Sequence, residues 1–103
     1  MPVLSDEHLK RLLGSPELGI EPFNEANLTP NGYDVTVAEV LLPSSGVGVR
    51  EGRVQVPPGS WFVIGTLERL RLGPGLCAQL WIRSSWARRG VLGSFGKIDA
   101  GFE

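Results

Sequence analysis

The sequence holds one cysteine, Cys77, and one histidine, His8, among 103 residues. A single cysteine excludes an internal disulfide and a cysteine-rich zinc site, and a single histidine excludes a histidine-based metal centre within one chain. That cysteine usage fits a reducing, intracellular setting. No apolar run approaches the roughly 18–20 residues that cross a bilayer as a helix, and the opening MPVLSDEHLKRLL lacks the basic-then-apolar order of a secretory signal. The expectation is a soluble, cytoplasmic protein with no membrane role. Charge of one sign is also lacking, with Lys+Arg 10 against Asp+Glu 11. Arg83, Arg88 and Arg89 are too few to follow a nucleic-acid backbone, so no nucleic-acid partner is expected.

The chain is too short to bury two cores, which makes residues 1–103 one domain. Its 14 glycines and 8 prolines, about a fifth of the residues, fall between short apolar runs. That punctuation favours turns and short strands over a helix bundle, so the expected class is all-β. One short helix opens it. Ser5 is a suitable N-cap, Asp6 and Glu7 put negative charge in the first turn, and Leu4 with Leu9 have the spacing of a hydrophobic staple. Leu9, Leu12 and Leu13 form its apolar stripe, with Gly14 as the expected left-handed cap and Pro16 as the stop.

Residues 19–33 read as a shaped loop with a short strand around Ile20. Residues 33–40 alternate as a half-buried strand, and the stretch after them reads as an exposed hairpin or loop. Short apolar runs at 54–56, 61–66, 67–72 and 76–82 are separated by links too short for crossover helices. They predict an antiparallel meander of sequence neighbours. Residues 83–103 gather polar and charged groups among glycines. The chain stops just after them, which reads as a domain whose last strands and tail are missing.

Three constellations in this sequence carry candidate chemistry. Arg83, Ser84 and Ser85 follow an apolar strand, where a bidentate cation and two hydroxyls can hold a phosphate chain and Arg88 and Arg89 add charge. The same residues read equally well as a helix start capped by Ser84 or Ser85, and a helix start itself favours anions. Gly96, Lys97, Ile98, Asp99 and Phe102 place one carboxylate and one ring among glycines, a pattern that suits an oriented water or sugar hydroxyl, or a plain turn with a solvated Asp99. Asp34 after Asn31 and Gly32 either holds a divalent cation or forms the turn. His8 is read as solvated, Cys77 as packed, and Trp61, Trp81 and Trp86 as core or interface residues.

The order LSDxxLKRLL, EPF, LTPNGYDV, RSSWARRG and GKIDAGFE resembles the dCTP deaminase and dUTPase superfamily, its archaeal members in particular, over residues 4–103. The resemblance implies a distorted jelly-roll or barrel-like subunit in a homotrimer, with nucleotide sites between neighbouring subunits. It implies that Arg83, Ser84, Ser85 and Arg88 bind the phosphates of a deoxynucleoside triphosphate. Asp34 then helps to hold Mg²⁺ through water, and the backbone of Gly96, Lys97 and Ile98 reads the pyrimidine edge. Asp99 binds the 3′-hydroxyl and orients the attacking water, and the Phe102 ring lies against the sugar where dUTPases commonly have tyrosine.

The leading expectation from that resemblance is a dUTP diphosphatase, making dUMP and pyrophosphate. The link between the RSS motif and Asp99 is short and has no Thr-Ala pair, which tilts away from deaminases. The alternative is a dCTP deaminase, in one form bifunctional, whose general-base glutamate would lie beyond Glu103. A relative that binds nucleotide without catalysis is the third reading.

Overall fold

A computed structural model describes residues 3–93 and 95–103. It is built mainly of strands with short helical segments, as the punctuation of the sequence predicts, and its barrel is not closed. The opening helix α1 spans Asp6–Leu12. The Ser5 hydroxyl accepts from the His8 amide at 3.3 Å, Asp6 and Glu7 lie in the first turn, and Lys10 and Arg11 in the last, each where the helix dipole favours it. Lys10 pairs with Glu25, which holds its ammonium above the usual lysine range.

Helix α1 ends near Leu13 as expected, but its cap differs from the expectation. Leu13 is the C-cap in right-handed geometry and Gly14 is not left-handed. Ser15 closes the helix instead, donating its amide (2.9 Å) and its hydroxyl (2.7 Å) to the Leu12 carbonyl. A side chain that supplies a second donor removes the need for a left-handed residue.

The strands that follow are β1 (Leu18–Glu21), β2 (Leu28–Thr29), β3 (Gly32–Tyr33), β4 (Val37–Leu42), β5 (Val47–Val49), β6 (Val63–Thr66) and β7 (Arg69–Leu72). After them come β8 (Ala78–Gln79), a second helix α2 (Ser84–Ala87) and β9 (Lys97–Ile98). The run at 54–56 forms no strand. Residues 34–36, expected inside a strand, separate β3 from β4. The hairpin between β4 and β5 turns on Gly46, whose φ of 71° favours glycine.

The expected meander is overturned. β6 pairs with β4, β7 with β1 and β8 with β9, all antiparallel, so no two of the strands β6, β7 and β8 pair with each other. The reason lies at the two-residue link Leu67 and Glu68. There the Leu67 amide donates to the Thr36 carbonyl at 2.8 Å and the Thr36 amide donates to Glu68 Oε1 at 2.8 Å. The link is thereby tied to the start of β4 and the chain leaves one sheet for another, a corner rather than a hairpin.

Leu18, Ile20 and Leu72 are the buried apolar residues, and Leu9, Leu12, Leu13, Tyr33, Leu70 and Ile98 pack around them. The register Leu18↔Leu72 and Ile20↔Leu70 turns one face of this pair inward. Gly19 faces Arg71, and a Cβ there would lie 3.1 Å from the guanidinium, so glycine leaves that side chain its course to the Pro16 carbonyl. Leu72 is one of three buried apolar residues among the described residues, and Leu72→Ala should cost about 2–5 kcal/mol. Thermal or denaturant unfolding checks this through a lower midpoint, and an unchanged midpoint would contradict the placement of the core.

Candidate active site

The Arg83 cluster forms where the chain leaves β8. Arg83 is extended (φ −65°, ψ 143°) and serves as N-cap of α2, but its side chain makes no capping bond. Ser84 and Ser85 occupy the first helical positions rather than the cap, so the expected serine cap is not formed. Both serines and Arg88 are exposed. Arg89 lies 5.4 Å from the Trp86 ring centroid, a cation–π contact that gives this cation a partner within α2.

Asp34 joins this cluster from far away in sequence. Its amide donates to the Asn27 carbonyl at 2.9 Å, which fixes the backbone just after β3. Its Oδ2 lies 3.8 Å from Arg83 Nη1, with the two side chains 35% and 69% exposed. At that distance and exposure the pair is screened and weak. An incoming anion or cation can therefore exchange with either partner at little cost.

Asp34 is a lone carboxylate, and no group of three or more metal-ligating side chains exists among the described residues. A cation held by one carboxylate through water, with phosphates filling the other positions, fits Mg²⁺, which keeps several waters and dehydrates reluctantly. A dedicated protein cage for calcium or zinc does not fit.

Asp99 belongs to a separate turn. The Phe102 amide donates to the Asp99 carbonyl at 3.1 Å, the Gly101 amide to Gly73 at 3.1 Å, and the Leu72 amide to the Phe102 carbonyl at 2.8 Å. Gly101 has φ 82°, a conformation the turn needs and glycine supplies. The turn is thus tied to the end of β7 beside the core, while Asp99 is exposed and Phe102 is half exposed. Gly96 and Lys97 are exposed, whereas the Ile98 side chain packs against the core, so only its backbone can face a ligand.

The strand register sends the two motifs away from the β8–β9 pair in opposite directions. In the β8–β9 pair Ala78 faces Ile98 and Gln79 faces Lys97. Asp99 therefore follows the Ala78 end, while residues 80–83 continue from the opposite end. Asp34 and Arg83 come together, and among the described residues no hydrogen bond or ion pair joins Asp99 or Phe102 to them. Ser94, in the link between the two motifs, lies outside the described residues.

The tryptophans and the cysteine depart from expectation in part. Trp61, Trp81 and Trp86 are 65%, 82% and 50% exposed, so none is a core residue, and Cys77 is exposed rather than packed. Glu68 was not singled out by its sequence context, because a glutamate between two apolar runs has the look of an outward-facing link residue. No local signal marks it as buried.

No family model matches the chain. It is 43% identical over 89 residues to a protein of Pyrococcus horikoshii named dCTP deaminase, covering 84% of this chain and 57% of that protein. A dCTP deaminase of Thermococcus sibiricus is 37% identical over 103 residues, covering 98% of this chain and 63% of that protein. A probable deoxyuridine 5′-triphosphate nucleotidohydrolase of Sulfolobus islandicus rod-shaped virus 1 is 29% identical over 103 residues, covering 98% and 65%. The chain thus spans about three fifths of the length of these relatives. The Thermococcus and viral alignments have the same length over this chain and leave room for only a few inserted residues. A dUMP-forming dCTP deaminase of Coprothermobacter proteolyticus, 29% identical, aligns over 121 residues and so carries insertions that the Thermococcus relative lacks.

Proposed function

We propose that this chain, similar over most of its length to proteins named dCTP deaminase and to one named probable deoxyuridine 5′-triphosphate nucleotidohydrolase, belongs to an enzyme acting on pyrimidine deoxynucleoside triphosphates that splits dUTP with water into dUMP and pyrophosphate. The observation that carries this reading is the approach of Arg83 to Asp34 at 3.8 Å, which gathers an anion-binding and a cation-binding side chain into one exposed cluster. Arg83 can grip phosphate oxygens through two parallel N–H donors, with the Ser84 and Ser85 hydroxyls and Arg88 beside it. Asp34 is the residue that would hold Mg²⁺ through water. That ion, when bound, neutralises charge on the phosphates.

Asp99 orients a water against the α-phosphorus. The water oxygen bonds to phosphorus as the bond to the bridging oxygen breaks, pyrophosphate leaves, and the water proton passes to solvent. The backbone of Gly96, Lys97 and Ile98 faces the pyrimidine, and the Phe102 ring lies against the sugar. The opposite directions in which Arg83 and Asp99 leave the β8–β9 pair support a complete site that takes Arg83 and Asp34 from one subunit and Asp99 from its neighbour in a homotrimer. The exposure of Trp61, Trp81 and Leu92 is consistent with apolar area that a neighbouring copy covers.

A second reading, deamination of dCTP, is favoured by the names of the relatives at 43% and 37% identity. It needs a carboxylate at the cytosine C4 in addition to the groups named above. Incubating the intact protein with Mg²⁺ and either dUTP or dCTP, with pyrophosphate and ammonia assayed separately, decides between them. Pyrophosphate from dUTP is expected. Ammonia from dCTP would establish the second reading, and neither product would overturn both.

A further inference from the structure

We propose that Glu68 is a positioning residue, whose buried carboxylate holds the backbone at Thr36 and so sets Asp34 in front of Arg83. The inference rests on the reading of Asp34 and Arg83 as a phosphate and Mg²⁺ cluster. Glu68 is 7% exposed, and among the described residues it is the buried charged side chain. A buried carboxylate is normally matched by a cation. The ion pairs among the described residues join Lys10 to Glu25, Arg50 to Glu39 and Arg83 to Asp34, and none involves Glu68. Its partner is a main-chain amide, Thr36 N–H, which donates to Oε1 at 2.8 Å.

The placement of that amide gives the bond its consequence. Residues 34–36 lie in the gap between β3 and β4 and have no ladder partner. The gap is pinned at both ends, by Asp34 N–H on the Asn27 carbonyl (2.9 Å) and by Thr36, which donates to Glu68 and accepts from the Leu67 amide (2.8 Å). The Thr66 hydroxyl in turn donates to the Glu68 carbonyl at 3.1 Å, fixing the backbone that carries the carboxylate. Asp34 is thus suspended between two anchors, and one of them is a side chain. Removing it leaves the Thr36 amide without its acceptor and frees the segment that aims Asp34.

The test compares Glu68→Gln, which keeps an oxygen acceptor of the same reach, with Glu68→Met, which removes it, and Glu68→Asp, which keeps the charge one methylene short. Amide exchange read residue by residue should be at least about tenfold faster at Thr36 in the Met and Asp variants than in the Gln variant and the parent. Calorimetry with a non-hydrolysable dUTP analogue should show about tenfold weaker binding of the Met variant in Mg²⁺, less than about twofold in EDTA, and no further loss when Asp34→Asn is already present. Recovery of parental binding by Glu68→Gln is expected. Unchanged exchange at Thr36 overturns the proposal, as does a Met variant with a lower melting temperature and unaltered Mg²⁺-dependent binding. If the parent binds no analogue, the functional reading falls, and exchange at Thr36 alone still decides whether Glu68 holds this segment. Should the Met variant not fold, the comparison of Asp with Gln carries the same decision.

Discussion

An Asp99→Asn protein should lose turnover of dUTP by roughly 10²- to 10⁴-fold, the usual contribution of a positioned acid or base. Its affinity for the nucleotide should change far less. The backbone explains why this substitution is clean. The turn is closed by the Asp99 carbonyl, by Gly101 in its left-handed conformation and by bonds to Leu72 and Gly73. None of these uses the carboxylate. Asparagine therefore keeps the turn and its anchorage to the core and removes only the carboxylate charge proposed to orient the attacking water. Steady-state kinetics beside equilibrium binding checks the split, and full turnover by the variant would remove Asp99 from the chemistry.

Arg83→Ala should weaken binding of the triphosphate by about 10- to 100-fold, as expected for the loss of about 1.5–3 kcal/mol in a charge-assisted hydrogen bond. The effect on dUMP should be much smaller, because the proposed contacts go to the phosphate chain. Arg83→Lys should not restore the parent value, since an ammonium cannot reproduce the planar two-donor grip. Titration of the three proteins with a triphosphate analogue and with dUMP reads both expectations. Equal losses for the two ligands would place Arg83 elsewhere in the site. Arg83 also carries less structural burden than a buried arginine would, its side chain being 69% exposed and its contact with Asp34 long.

The parts of this molecule that were legible in sequence are those whose determinants are local. Helix α1 starts where Ser5, Asp6 and Glu7 say it should, because a cap and first-turn charges act over a few residues. Its end near Leu13 was legible as well, but its cap was not, because Ser15 supplies the closing bonds in place of a left-handed Gly14. The strands β6 and β7 stand within apolar runs visible in the sequence. Their partners were not legible, because pairing with β4 and β1 is decided at a corner where Glu68 reaches a residue 32 positions away. Short links between apolar runs predict hairpins only when the link residues stay at the surface, and Glu68 does not.

The candidate site divides along the same line. Arg83, Ser84, Ser85 and Asp99 stood out as chemistry-bearing types among turn residues, and the resemblance placed them in one nucleotide site. That Asp34 lies beside Arg83 is a tertiary fact with no trace in local spacing. That Ile98 offers only its backbone follows from its packing against Leu18, Ile20 and Leu72. Glu68 was invisible for a related reason, since a buried acid satisfied by a main-chain amide leaves no complementary cation to notice.

Because Arg83 and Asp99 leave the β8–β9 pair in opposite directions, subunit complementation is the most direct test of the proposed shared site. Arg83→Ala and Asp99→Asn proteins, each strongly impaired alone at dUTP well below the parental KM, would be mixed in equal amounts under conditions that exchange subunits, and dUTP turnover measured. If a homotrimer builds each site from two neighbours, random mixing should restore about a quarter of the parental activity, because that share of sites joins an intact Arg83 to an intact Asp99. A mixture whose subunits have exchanged and which stays as inactive as both parents would contradict it.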